Sequence, residues 1–344
     1  MGREKTAYLS LLSVLSAVAV VFLHTNGCFW TFSTGRYWAT ANIIESVFYF
    51  AVPVFFMISG ATLLDYRERY NTRQFFAKRA SKTVVPFLFW SLVGLVLALT
   101  VYRTVSWKDV SLWFVLDGLL NTRFVSVYWF FIPLFCVYAA IPLFGAVPKE
   151  RRQSVFTYLA IVCFAVNSLL PFLVSVFGLP VRYSVRVDVG ASYLLYILLG
   201  YLLNEVEWKR PLRYTLYGAA VAGLLLHMVG TYILSMQSGS VISTYKGYVA
   251  PPTVLYAMGL FVFFRQTGPR LMRGFVGKLV NALQGYTFAI YLLHMILLPL
   301  LRKLFAFNTF SIVYRLGMPF VVIPLCILLT WLVRKVPVLR RVLP

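Results

Sequence analysis

Ten times along this chain an apolar run reaches the length a helix needs to cross a bilayer. A hydrocarbon core of about 30 Å takes roughly 20 residues at about 1.5 Å each. Runs of that order fall at about 7–27, 40–64, 84–102, 128–147, 155–177, 189–204, 213–235, 248–264, 284–301 and 312–333. The run 128–147 is the weakest, because Pro133 and Pro142 interrupt it; proline is tolerated in membrane helices where neighbours satisfy the freed carbonyls. The pattern predicts an all-α, polytopic membrane protein of about ten transmembrane helices. The first run is long for a signal-peptide core and no small-residue cleavage site follows it, so it reads as a retained helix. No linker longer than about 25 residues and no low-complexity stretch divides the chain, which predicts one integral-membrane domain over 1–344.

Composition agrees and excludes the main alternatives. The chain is 60% hydrophobic and 12% charged, about half the charged fraction of a soluble domain. That rules out a soluble globular enzyme, a disordered chain and a disulfide-built secreted module. The formal charge is +22, yet a nucleic-acid binder needs an aqueous scaffold for its basic face, and this chain has none. The charge sorts by loop instead. With the N-terminus cytoplasmic, one side holds Arg3, Lys5, the cluster from Arg67 to Lys82, Lys149 to Arg152, Lys209 to Arg213, Arg265 to Lys278 and Arg334 to Arg341. Those loops carry 22 of the 32 basic residues. The alternation requires an even number of crossings and puts both termini in the cytoplasm. The location this implies is the cell membrane, with the bacterial cytoplasmic membrane the default. The largest outer loop, about 103–127, carries Trp107 and Trp113 and reads as an aromatic cap along the interface.

Familiar soluble chemistry is missing. There is no GxSxG, P-loop, HExxH or Cys-x-x-Cys motif, and no metal site is expected. Cys28, Cys136, Cys163 and Cys326 read as small packing residues. No internal repeat supports an inverted-repeat transporter.

Ionisable groups within membrane helices are costly, so each is a functional candidate. They are His24, Glu45, His227 and His294, with Arg79 and Lys82 at the inner mouth of the third run. Counting about 1.5 Å per residue puts His24 about 26 Å and Glu45 about 28 Å from the inner side. A carboxylate beside an imidazole fixes its tautomer and raises its basicity, a general-base pattern. The plainer alternatives are a Glu45 facing outer-leaflet water and a His24 satisfied at the interface. The same count puts His294 at about 15 Å, which argues against direct pairing with His24. His227 has no supporting neighbours and reads as structural. Lys78 to Lys82 opens the third run, with Arg79 and Lys82 on one face at i, i+3 spacing. Such a face near a helix N-terminus suits a phosphate-rich ligand, though composition alone favours a positive-inside signal that contacts anionic lipid heads.

Taken in order, these segments resemble the membrane-bound acyltransferase family 3, especially its surface-polysaccharide O-acyltransferase-like branch. Tyr8-Leu9, followed sixteen residues later by His24, is similar to the family's first-helix motif. Val52 to Gly60 (VPVFFMISG) resembles its second helix, and Phe75 to Pro86 (FFAKRASKTVVP) its basic stretch ending in proline. Trp129-Phe130-Phe131 with Tyr138 and Pro142 resembles its fourth helix. Gln284 to His294 (QGYTFAIYLLH) resembles the late helix ending in histidine. Three departures stand out: Ser10 and Ser13 replace an aspartate and an arginine, Lys82 replaces the second arginine of Arg-x-x-Arg, and Val127 stands where a histidine often precedes the Trp-Phe pair.

The resemblance implies ten helices, an acyl-CoA donor (acetyl-CoA by default) held on the cytoplasmic side, and O-acylation of an extracytoplasmic or lipid-linked glycan. It puts the catalytic histidine at His24, for which the depth count above offers Glu45 as partner, and the coenzyme A phosphates on Arg79 and Lys82. His294, Trp129 and Tyr291 are substrate-contact or structural candidates. No permanently bound cofactor and no nucleic-acid partner is expected; membrane lipids are. A transporter or flippase for a polysaccharide precursor, or a non-catalytic membrane module, remain alternatives on this reading.

Overall fold

A computed structural model describes residues 3–180 and 187–344, with side chains described from Ala7 onward; Arg3 and Lys5, assigned to the inner side above, have side chains outside that set. The described residues contain no strand. In chain order the main helical rods are α1 (Arg3–Thr25), α2 (Arg36–Glu68), α3 (Thr72–Thr100), α4 (Ser126–Phe144), α5 (Lys149–Val176), α6 (Leu194–Glu205), α7 (Arg210–Ser238), α8 (Pro251–Leu271), α9 (Phe275–Leu304) and α10 (Ile312–Arg334). Eight of them, all except α6 and α8, are long and apolar enough to cross a membrane. With no water to hydrogen-bond the backbone, helices are the form such segments take.

The two exceptions have different causes. The run expected over 189–204 folds as a helix of 12 residues, about 18 Å long. The run expected over 248–264 is a 21-residue helix that begins with Pro251 and Pro252 and carries Arg265, Gln266 and Arg270 toward its end. Several other boundaries also move. α3 begins at Thr72, not near 84, because Asn71 and Gln74 form a reciprocal capping box. α9 begins at Phe275, nine residues before the expected start. Pro142 is accommodated inside α4.

α6 sits at the centre, buried from Leu194 to Asn204. Its contact with α2 depends on two glycines. A Cβ on Gly60 would overlap the Ile197 carbonyl, and a Cβ on Gly200 would overlap the Met57 carbonyl. Small residues let helix backbones approach closely, the packing that membrane bundles rely on where hydrophobic driving force is weak. At its C-terminal end α6 is held by polar contacts: Arg265 of α8 donates to the carbonyls of Leu203 (2.7 Å) and Val206, and Tyr8 of α1 donates to Asn204. A guanidinium on terminal carbonyls satisfies acceptors the helix leaves open. α1 and α2 are each 67% buried, whereas α5 is 17% and α7 and α10 are 28%. α1, α2 and α6 are therefore interior, and α5, α7 and α10 face outward. Cys28, Cys163 and Cys326 are buried as packing residues, but Cys136 is exposed.

Three rods contain a π-helical turn: Ala80–Val84 in α3, Phe164–Leu169 in α5 and Leu226–Gly230 in α7. Such turns insert a residue into the helix ladder and often mark functional positions.

Candidate active site

At the C-terminal end of α1, the His24 and His294 rings lie 5.1 Å apart, tilted by 44°. This overturns the depth difference expected from counting. The count for His294 began at residue 284, but the rod begins at Phe275. Nineteen residues at about 1.5 Å raise His294 to about 28 Å, level with His24. His294 is fully buried. Its Nδ1 is 3.0 Å from the Ile290 carbonyl, one helical turn back. A carbonyl only accepts, so Nδ1 carries the proton and Nε2 keeps a lone pair. That Nε2 is buried with no protein partner. His24 is half-buried beside it. Two facing imidazoles, one with its tautomer fixed, can accept and hold a proton away from bulk water.

Side chains around the pair hold it in register. Tyr291, 5.9 Å from the His294 ring, donates to the Val127 carbonyl at 2.5 Å. Tyr128 returns the contact, donating to the Leu292 carbonyl at 2.8 Å. Val127 therefore contributes its backbone carbonyl. Arg302, two turns further along α9, donates to the His24 carbonyl at 3.2 Å and to the Tyr314 hydroxyl at 2.7 Å. Trp129 is half-buried and stacks on Tyr248 at 5.3 Å; Tyr248 stacks on Tyr49 at 4.4 Å, and Tyr49 meets His227 edge-on at 5.0 Å. His227 is thus packed within an aromatic row, and its Nε2 has no partner.

The expected pairing of His24 with Glu45 does not form. Glu45 Oε1 lies 3.0 Å from Lys246 Nζ, with both side chains buried. Glu45 therefore does not face outer-leaflet water either. The ammonium also lies 4.1 Å from the Tyr49 ring centre and 4.3 Å from that of Trp30. Burial lowers the Lys246 pKa from its ordinary value, and the Glu45 carboxylate opposes that change. Carboxylate and aromatic faces together offset the desolvation of an otherwise expensive charge. A helical count cannot place a loop residue, so Lys246 escaped the sequence reading. One signal was available: it is the only cation between Arg213 and Arg265, on the charge-poor side. Arg315 was missed similarly. It is 1% exposed and donates to Thr40 Oγ1 (2.8 Å) and the Tyr37 carbonyl (3.2 Å), fastening α10 to α2.

At the opposite end of the bundle, Arg79 and Lys82 do not open a helix. The capping box at Asn71 puts them two turns inside α3, and a π-helical turn begins at Ala80 between them. They therefore lack the N-terminal dipole expected above and share a face in altered register. Arg79 is half-buried over Phe75 and Tyr138, at 5.9 and 5.7 Å from their centres, and its buried Nε has no partner. Lys82 is exposed. Asp65 pairs with Arg152, which also donates to the Val147 and Gly145 carbonyls at 2.9 and 3.1 Å. Ser13 makes a neutral contact with Thr287 at 3.4 Å. Among the described residues no cluster of His, Cys, Asp and Glu suits a metal ion.

A family model described as an acyltransferase domain matches residues 6–332. No curated protein and no solved structure matches the chain.

Proposed function

Since this chain belongs to acyltransferase family 3, we propose that it is an integral-membrane O-acyltransferase. In this reading it takes an acyl group, acetyl by default, from cytoplasmic acyl-CoA and passes it to a hydroxyl of an extracytoplasmic or lipid-linked cell-surface glycan. The chain crosses a bacterial cytoplasmic membrane ten times, α6 and α8 completing the eight long apolar rods, and both termini are cytoplasmic. The observation that carries the proposal is the His24–His294 pair: imidazoles 5.1 Å apart, one with a fixed tautomer and a free lone pair.

His24 is the general base. It takes the proton of the acceptor hydroxyl as that oxygen attacks the thioester carbon; the new C–O bond forms, the C–S bond breaks, and the proton passes to the departing thiolate. His294 packs against His24 and keeps a free Nε2 lone pair on the same side of the site. Arg79 and Lys82 hold the coenzyme A phosphates at the inner end, where the half-buried guanidinium supplies directed donors and the exposed lysine a mobile charge. Trp129 and Tyr291 shape the acceptor side. Glu45 supports the site through Lys246 and the aromatic row and does not orient His24 directly.

The test is purified protein in nanodiscs, given acetyl-CoA labelled in its acetyl group and a glycan acceptor fraction. Label should move to acceptor with wild type and not with His24→Ala. Transfer by His24→Ala at the wild-type rate would remove His24 from the chemistry, and no transfer or thioester turnover by wild type would sink the reading.

A further inference from the structure

A cavity of about 530 Å³ lies between α3, α9 and the loop joining α3 to α4, within the ~300–1,000 Å³ typical of small-molecule sites. Leu97 and Ala98 of α3, Val105 and Phe114 of the loop, and Met295 and Ile296 of α9 make its walls largely apolar. Met295 and Ile296 follow His294 on α9, so the cavity and the imidazole pair share one stretch of that helix. Its rim is charged. Asp117 and Arg123 line it, 2.7 Å apart. Lys303 donates to the Val101 carbonyl and lies 5.7 Å from the ring centre of Tyr102, a lining residue. Arg103, next in the chain, is exposed. The rim thus carries Arg123, paired with Asp117, and, beside Tyr102, Lys303.

The wall on the loop side includes a short helix, Leu112–Leu120. Leu112, Trp113, Leu116 and Leu120 are exposed on it, while Gly118 turns inward against the Phe124 ring, which a Cβ there would overlap. A helix with that outer face lies at the boundary of headgroups and acyl chains. The cavity therefore has an apolar interior, a cationic rim and a cover that belongs in the interface. A free sugar has no use for the apolar walls, and inorganic phosphate has no use for the depth. One class of ligand matches both.

We propose that this cavity binds an anionic amphiphile, an alkyl or polyprenyl chain ending in phosphate, with the chain between α3 and α9 and the phosphate at Arg123 and Lys303. Its role rests on the acyltransferase reading: a lipid-borne acceptor held here has its sugar presented beside His24. The binding itself needs no acyl donor, so the two ideas fail separately.

The experiment uses wild-type protein in nanodiscs without coenzyme A and a diazirine-bearing polyprenyl phosphate as probe. Labelled peptides should come from residues 94–126 and 295–299. Unlabelled polyprenyl phosphate should compete, whereas inorganic phosphate and excess phosphatidylglycerol should not. Ala98→Trp, which fills the cavity, should abolish that labelling. Because that variant is intrusive, the exposed rim is tested separately: Arg123→Gln with Lys303→Gln should weaken competition by the phosphate-ended lipid about tenfold, the scale of a lost charge-assisted hydrogen bond. Labelling spread over the lipid-facing rods, or equal competition by phosphatidylglycerol, would make this an ordinary lipid contact and overturn the proposal. So would unchanged competition in the rim variant.

Discussion

The two ends of the bundle solve opposite problems with charge. Around His24 the ionisable groups are few and at least half-buried, and each charged one is held by polar partners: Glu45 by Lys246, Arg315 by Thr40 and backbone, Arg302 by Tyr314 and the His24 carbonyl. Around Arg79 the cations are many and most are exposed: the Glu68–Lys149 pair is 2.7 Å long but more than half exposed on both sides, and Arg152, buried on Asp65, is the exception. A crowd of exposed cations records topology, whereas an isolated buried group has been retained despite its desolvation cost. Function is better sought at the sparse end.

That contrast can be broken most directly at His24. His24→Ala should lower acyl transfer by roughly 10²–10⁴-fold, the range of general acid–base catalysis, measured as labelled acetyl reaching acceptor; a change below twofold would erase the distinction between the ends. Next comes the buried pair. Lys246→Met or Glu45→Gln alone should destabilise the protein by about 3–5 kcal/mol, because each strands a partner out of water, while the double variant should recover most of the loss in denaturation assays. If singles and double melt together, the pair is not structurally coupled. Gly200→Leu should cost about 1–3 kcal/mol or more through the forced shift at Met57, and a wild-type melting curve would show that α2 and α6 separate easily. The smallest effect belongs to the crowded end. Arg79→Ala should weaken coenzyme A binding about tenfold, the scale of one charge-assisted contact, and less so at high salt. Unchanged binding would return that cluster to lipid anchoring.

Much of the fold was legible because apolar length is a local property. Rods such as Lys149–Val176 and Ile312–Arg334 fall close to the runs expected at 155–177 and 312–333. The errors arose where a helix start is set by a cap outside the apolar run. Asn71 with Gln74 extended α3 backwards and took Arg79 away from any helix N-terminus. The early start of α9 at Phe275 lifted His294 to the level of His24. Of the candidate site, the individual histidines were legible as rare intramembrane groups, but their meeting was not. Lys246 was hidden for another reason: a short loop folding back over α2 leaves no periodicity to read.

The reciprocal bonds of Tyr128 and Tyr291 have a mechanical consequence. Each tyrosine grips the backbone beside the other, Leu292 on one side and Val127 on the other. The first turn of α4 and the middle of α9 therefore translate as one body, since sliding either strand of contacts would strand two buried hydroxyls at once. His294 is two residues from one grip and Trp129 two from the other. The stretch of α9 that carries His294 is thus tied to the start of α4, and the chain leading into Ser126 is anchored to the same body.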